Sequence, residues 1–130
     1  MSVLNTDLAR QLGVDKLGAR LWRLKPGQAS TRHRHLGEEE LYVLLEGAGR
    51  MHVGEEVLTL APLSAVAVDP ETVRQLFNDT DGEQLWLVVG APPDAINPRE
   101  MTAEQMQTMY PDGPRALPPE LSAGADFGSP

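Results

Sequence analysis

The sequence predicts an all-β domain, a sandwich or closed barrel, followed by a short helix and irregular chain. Three observations point there. Between Arg20 and Gly90, runs rich in Val, Leu and Thr are broken by turn residues, at intervals of about 8–12 residues that suit short strands of a sandwich or barrel. Nothing between these runs is long enough for a crossover helix, so a parallel α/β sheet is excluded. Of 11 prolines, only Pro26, Pro62 and Pro70 precede residue 92, which leaves the central segment free for a hydrogen-bonded ladder.

The elements follow in order. Leu4–Leu12 fits either a short helix or an added strand. Strands are expected at Ala19–Leu24, Thr31–His35, Glu40–Leu45, Gly49–Val53, Val57–Ala61, Ser64–Val68, Val73–Asn78 and Gln84–Val89. The breaks between them are Pro26-Gly27, Leu36-Gly37, Glu46-Gly47, Gly54, Ala61-Pro62, Asp69-Pro70 and the run Asn78 to Gly82, all turn-forming sequences. Beyond Gly90, Thr102-Ala103-Glu104-Gln105 fits a capping box opening a helix to about Tyr110. On that helix Met101, Gln105 and Met109 stack, as do Met106 and Tyr110, a stripe that reads as packing surface. Pro111–Pro130 reads as a mobile, linker-like tail. The chain thus divides into a 1–16 N-terminal segment, a 17–92 barrel domain and a 93–130 Pro-rich extension with a helix near 103–110.

Composition narrows the function. The 130 residues suit one domain, and 41% hydrophobic with 23% charged residues is a globular balance. A formal net charge of -8 argues against nucleic-acid backbones and anionic membrane surfaces. With no cysteine, disulfides, thiolate metal sites and cysteine nucleophiles are excluded. Neither a signal-peptide pattern nor a membrane-length apolar run appears, so a cytoplasmic protein is expected.

The residues with chemistry cluster in Thr31-Arg32-His33-Arg34-His35. Positions two apart on extended chain share a face, so His33 and His35 point one way and Arg32 and Arg34 the other. Two imidazoles and a carboxylate from the following strand can converge on a divalent ion. Glu38, Glu39 and Glu40 are available. Glu40 shares parity with Tyr42 and Leu44 and is the expected inward group, with Glu39 the choice if the turn is one residue shorter.

The wider pattern, Gly27-x5-His33-x-His35-x4-Glu40-x6-Gly47, resembles the first motif of the cupin family in every spacing. Chance would produce it on the order of once in 10⁴ to 10⁵ sequences of this composition. The second motif is degenerate. Asn78 matches, but Pro70 is displaced by one, Glu71 stands at a glycine position and Arg74 at the third histidine position. The resemblance covers about Leu21 to Val89. It implies a small double-stranded β-barrel (a jelly roll) with a central pocket, often a homodimer, and a metal site at His33, His35 and Glu40. Cupins include oxygenases, isomerases, decarboxylases, storage proteins and sugar-binding regulators, so whether this chain is an enzyme stays open.

Arg74 allows two arrangements, since arginine donates hydrogen bonds but cannot ligate a metal. In one, an iron, manganese, nickel or zinc ion sits on the three ligands while Arg74, on the pocket wall with Tyr42, binds an anionic small molecule. At about 5 Å and an effective dielectric of 20, ion and guanidinium repel by roughly 6–7 kcal/mol before Glu40 and any anion offset it. In the other, Arg74 pairs with Glu40 in a metal-free binding or sensor pocket. A closed barrel serving only assembly is a third possibility. His52 is expected at the surface, Trp22 and Trp86 in the core or a subunit contact, and Arg20, Arg23, Arg32 and Arg34 in solvent or an interface. Asn78 should hold a turn.

Overall fold

The structure, a computed structural model, describes residues 3–94 and 100–121. Two antiparallel sheets face one another. The first, ordered β1-β2-β8-β3-β6, contains β1 (Leu4–Asp7), β2 (Gly18–Leu24), β3 (Glu39–Glu46), β6 (Ala65–Val68) and β8 (Gln84–Ala91). The second, ordered β5-β4-β7, contains β4 (Gly49–Val53), β5 (Glu56–Leu60) and β7 (Arg74–Phe77). This is the double-stranded β-barrel implied above. Leu4–Leu12 turns out to be both of its alternatives: β1 adds a strand beside β2, and helix α1 (Leu8–Leu12) follows, its first turn capped by the Asp7 side chain. Helix α2 (Ala103–Met109) carries the expected capping box, Thr102 and Gln105 each bonding the other's backbone N–H.

Alternation builds the core. Along β3, Glu40, Tyr42 and Leu44 are buried and their neighbours are not; along β8 the buried set is Gln84, Trp86, Val88 and Gly90. Leu24, Leu44, Met51, Leu76 and Trp86 join Tyr42 and Val88 in one apolar cluster between the sheets. The turn out of β3 depends on Gly47. Its φ is +90°, and a Cβ there would lie 2.3 Å from the Glu83 carbonyl oxygen.

Two expectations need correction. Thr31–His35 is not a strand. Ala29 and His33 make single bridges to Phe77 and Arg74, and side chains interrupt the ladder between them. The Leu76 N–H goes to Ser30 Oγ and the Ser30 carbonyl accepts from the Gln75 amide. The tail is not free over its described part. Residues 111–121 lie on the outer face of β7, where Gln75 donates to the Ala116 carbonyl and His52 meets Glu120 at 2.7 Å. With the core on one side and this cover on the other, all four β7 residues are buried, and His52, held by Glu120, lies 5.1 Å from the Phe77 ring rather than in open solvent. Residues 122–130 lie outside the described chain.

The outer face of the larger sheet is apolar. Leu21, Leu87 and Val43 are successive neighbours across β2, β8 and β3, and Val89 pairs with Leu41, which is 42% exposed. A sheet face that meets water ordinarily alternates to polar side chains.

Candidate metal centre

The ligand segment is fixed to β7 by two backbone hydrogen bonds, His33 N to Arg74 O (3.0 Å) and Arg74 N to His33 O (2.8 Å), and then by His35 N to Pro70 O (2.8 Å). Extended chain between these points turns both imidazoles inward. Arg32 and Arg34 face out as parity requires, but not into solvent alone. Arg32 pairs with Asp112 at 2.8 Å, and Arg34 bonds the Thr108 carbonyl through its side chain and the Met109 carbonyl through its N–H. Arg34, between the histidines, therefore holds the end of α2 beside the site, and Arg32, just before them, holds the chain that follows it.

Inside, His33, His35 and Glu40 each offer a ligand atom, all within 4.8 Å of one another. His33 Nε2 and His35 Nε2 are 3.1 Å apart, His35 Nε2 and Glu40 Oε1 3.1 Å, and His33 Nε2 and Glu40 Oε1 3.7 Å. Two cis ligands at about 2.1 Å from one ion lie about 3 Å apart. The ring nitrogens on the far sides are engaged: His33 Nδ1 meets the Thr31 carbonyl and His35 Nδ1 meets Asp94 Oδ2, both at 2.9 Å. With those nitrogens donating, both Nε2 lone pairs and a carboxylate oxygen converge on one point, an arrangement that calls for a cation. The donor set, two imidazoles and one carboxylate, fits iron, manganese, nickel or zinc.

A second layer supports this set. Tyr42 Oη donates to Glu40 Oε1 at 2.6 Å from the buried core. Burial would raise Glu40, but the two imidazoles that face it outweigh that and hold the carboxyl far below the usual range. His35 moves the other way; burial lowers it, and Glu40 and Asp94 together outweigh that to raise it above 6.5. Asp94 also accepts from the N–H groups of Leu36 (3.2 Å) and Gly37 (2.9 Å). Glu38 faces in beside Glu40, with Oε2 3.6 Å from His35 Nε2. Burial first, then the charges of Glu40 and Asp94, push it up to about 7 against the pull of His35. Glu39 is exposed, so it is no alternative to Glu40.

Arg74 matches neither of its expected arrangements fully. Its side chain is wholly buried and is not among the residues lining the cavity, so it forms no part of the pocket wall. Its Nε lies 4.0 Å from Glu40 Oε1, the outer limit of an ion pair. Nη2 donates to the Asp69 carbonyl, while Nε and Nη1 have no hydrogen-bond partner among the described residues.

A cavity of about 290 Å³ opens above the three ligands. Tyr42, Leu76 and Val88 line its depth, Trp22 and Arg20 its β2 side, and Met109 and Tyr110 bring the end of α2 to it. Trp22 is thus a wall of the cavity and Met109 faces it, roles that packing patterns alone did not separate from core. Trp86 is core, as expected, and Asn78 holds its turn through bonds to Leu24, Gly82 and Thr80.

Residues 20–90 match the family model described as "Cupin domain". The chain belongs to the cupin family. Among solved structures, this cupin is similar to the TT1209 protein of Thermus thermophilus, at 31% identity over 70% of this chain and 84% of that one, with a TM-score of 0.64. It is also similar to a putative sugar phosphate isomerase from Acidithiobacillus ferrooxidans, at 26% identity over 71% of this chain and 60% of that one (TM-score 0.65). A sugar phosphate isomerase of the cupin superfamily from Silicibacter pomeroyi is 28% identical over 68% of this chain and 59% of that one (TM-score 0.63). The cupin spans only about three fifths of these two chains. No curated protein matches it in sequence. Among the described residues no helix is long and apolar enough to cross a membrane.

Proposed function

We propose that this cupin binds a divalent metal ion through His33, His35 and Glu40 and admits a small organic molecule to the cavity above it. The observation that carries this is the convergence of two Nε2 atoms and Glu40 Oε1 within 3.1–3.7 Å, with both Nδ1 atoms engaged elsewhere. The cavity, about 290 Å³, is at the small end for a ligand pocket, which suits a metabolite rather than a polymer. Likeness to a sugar phosphate isomerase and to a putative one supports a phosphorylated sugar or similar small anion as the ligand class. When bound, the ion supplies Lewis-acid polarisation or an anchoring charge for that anion. The chain's own residues do the positioning: Tyr42 and Asp94 orient the ligands, and Trp22, Val88 and Met109 exclude water from the organic part.

We place the protein in the cytoplasm as a homodimer joined through the apolar outer face of the larger sheet, centred on Leu41 and Leu87. A second reading, a metal-free binding pocket with Glu40 paired to Arg74, is favoured only by the 4.0 Å approach of those two groups.

Calorimetric titration of the chelator-treated protein with Mn²⁺ and Zn²⁺ separates the two. Stoichiometric binding that disappears in the His33→Ala, His35→Ala double variant supports the metal-bound reading. No binding by the wild type, after prolonged incubation with either ion, supports the metal-free one.

A further inference from the structure

We infer that Glu38 is a fourth protein ligand to the ion, a role Arg74 cannot fill; this rests on the metal-bound reading above. Parity places Glu38 on the inward face with Glu40, and its Oε2 is 3.6 Å from His35 Nε2. Its side chain is only 12% exposed and lines the cavity.

Its position is built by two glycines. Gly18 and Gly90 are partners across β2 and β8, and the Glu38 carboxyl lies over the bare backbone they leave. A Cβ on Gly90 would come within 2.7 Å of Glu38 Oε2, and one on Gly18 would lie 3.9 Å from Oε1. Any larger residue at Gly90 would push the carboxyl out of this slot.

Charge gives the slot a purpose. Arg74, wholly buried with Nε and Nη1 unpartnered among the described residues, adds a permanent positive charge 4.0 Å from Glu40 Oε1. An ion held by the two imidazoles and Glu40 would face that guanidinium with one carboxylate between them. Glu38 and Asp94 supply the two further negative charges that balance a divalent ion and Arg74 together. Asp94 is committed to His35 Nδ1 and two N–H groups, whereas no N–H group hydrogen-bonds Glu38 among the described residues. Of the two, Glu38 is the carboxylate that no backbone or imidazole N–H among the described residues holds away from the ion.

Mn²⁺ affinity and the visible spectrum of bound Co²⁺ test this on the full chain, comparing wild type, Glu38→Gln, Glu39→Gln and Gly90→Ala. Glu38→Gln is expected to weaken Mn²⁺ binding at least tenfold and to alter the cobalt band intensity, which reports coordination number. Glu39→Gln should stay within twofold of wild type. Gly90→Ala keeps every charge and displaces the carboxyl, so it should reproduce the spectral change, and it stands in if Glu38→Gln does not fold. Wild-type affinity in Glu38→Gln, or weakened binding with an unchanged cobalt spectrum, overturns the role of Glu38 and leaves the three-ligand site standing. Failure of the wild type to bind either ion overturns both.

Discussion

Asp94 Oδ2 lies 2.9 Å from His35 Nδ1, joining the chain after β8 to the ligand segment 59 residues earlier. The contact fixes the imidazole tautomer that presents Nε2 to the metal position. Removing such an outer partner typically costs about 10–100-fold in metal affinity. Asp94→Ala is expected to fall in that range by calorimetric titration, with thermal unfolding of the metal-free form showing the barrel intact. Wild-type affinity in the variant would contradict the assignment.

Protons compete with the ion for both imidazoles, so affinity depends on pH. Because Glu40 and Asp94 raise His35 above 6.5, the competing proton is held more tightly than on a free imidazole. Apparent affinity should fall as pH drops through that raised value and level off above it. Titrations between pH 5.5 and about 8.5 check this; affinity that is flat across the range would contradict it.

The metal-free protein carries a cost at Glu38. Its folded pKa, about 7, exceeds its ordinary 4.5, so the folded state holds the proton more tightly than the unfolded one. Stability should therefore decline as pH rises from 4.5 to about 7 and stay level above that. Glu38→Gln removes the effect. With solvent screening allowed for, the variant should be more stable than wild type by about 1–2 kcal/mol at pH 8, the gap closing toward pH 4.5. Urea unfolding in the presence of chelator measures it, and a variant less stable at pH 8 would contradict the account.

Leu41 is 42% exposed and has Val89 and Ala67 beside it on the outer face of the larger sheet. A charge there would be buried without a partner in the proposed dimer. Sedimentation analysis should find the wild type as a dimer and Leu41→Glu as a monomer with unchanged metal affinity. A monomeric wild type would refute the interface.

Much of the site is legible in local spacing. The Gly27 to Gly47 pattern locates His33, His35 and Glu40, and the parity rule points both histidines inward although no regular strand forms there, because single bridges to β7 suffice to keep the chain extended. The same rule applied to all three glutamates would have found Glu38; treating them as competitors for one role concealed it. Asp94 gave no signal, since only the fold brings the end of β8 to the ligand segment. Arg74 was legible as a residue but not in position. An inward position on a strand does not distinguish a cavity wall from the space behind the ligands, and Glu40 and Tyr42 take the wall. The tail between 111 and 121 reads as linker by composition, yet it packs through backbone carbonyls and single ion pairs, which composition does not report.

Crystals grown with Mn²⁺, measured for anomalous scattering, test the central claim most directly. One strong peak is expected within about 2.0–2.3 Å of His33 Nε2, His35 Nε2 and a Glu40 carboxylate oxygen. A barrel with no peak at that point, and with Glu40 drawn onto the Arg74 guanidinium, would contradict it.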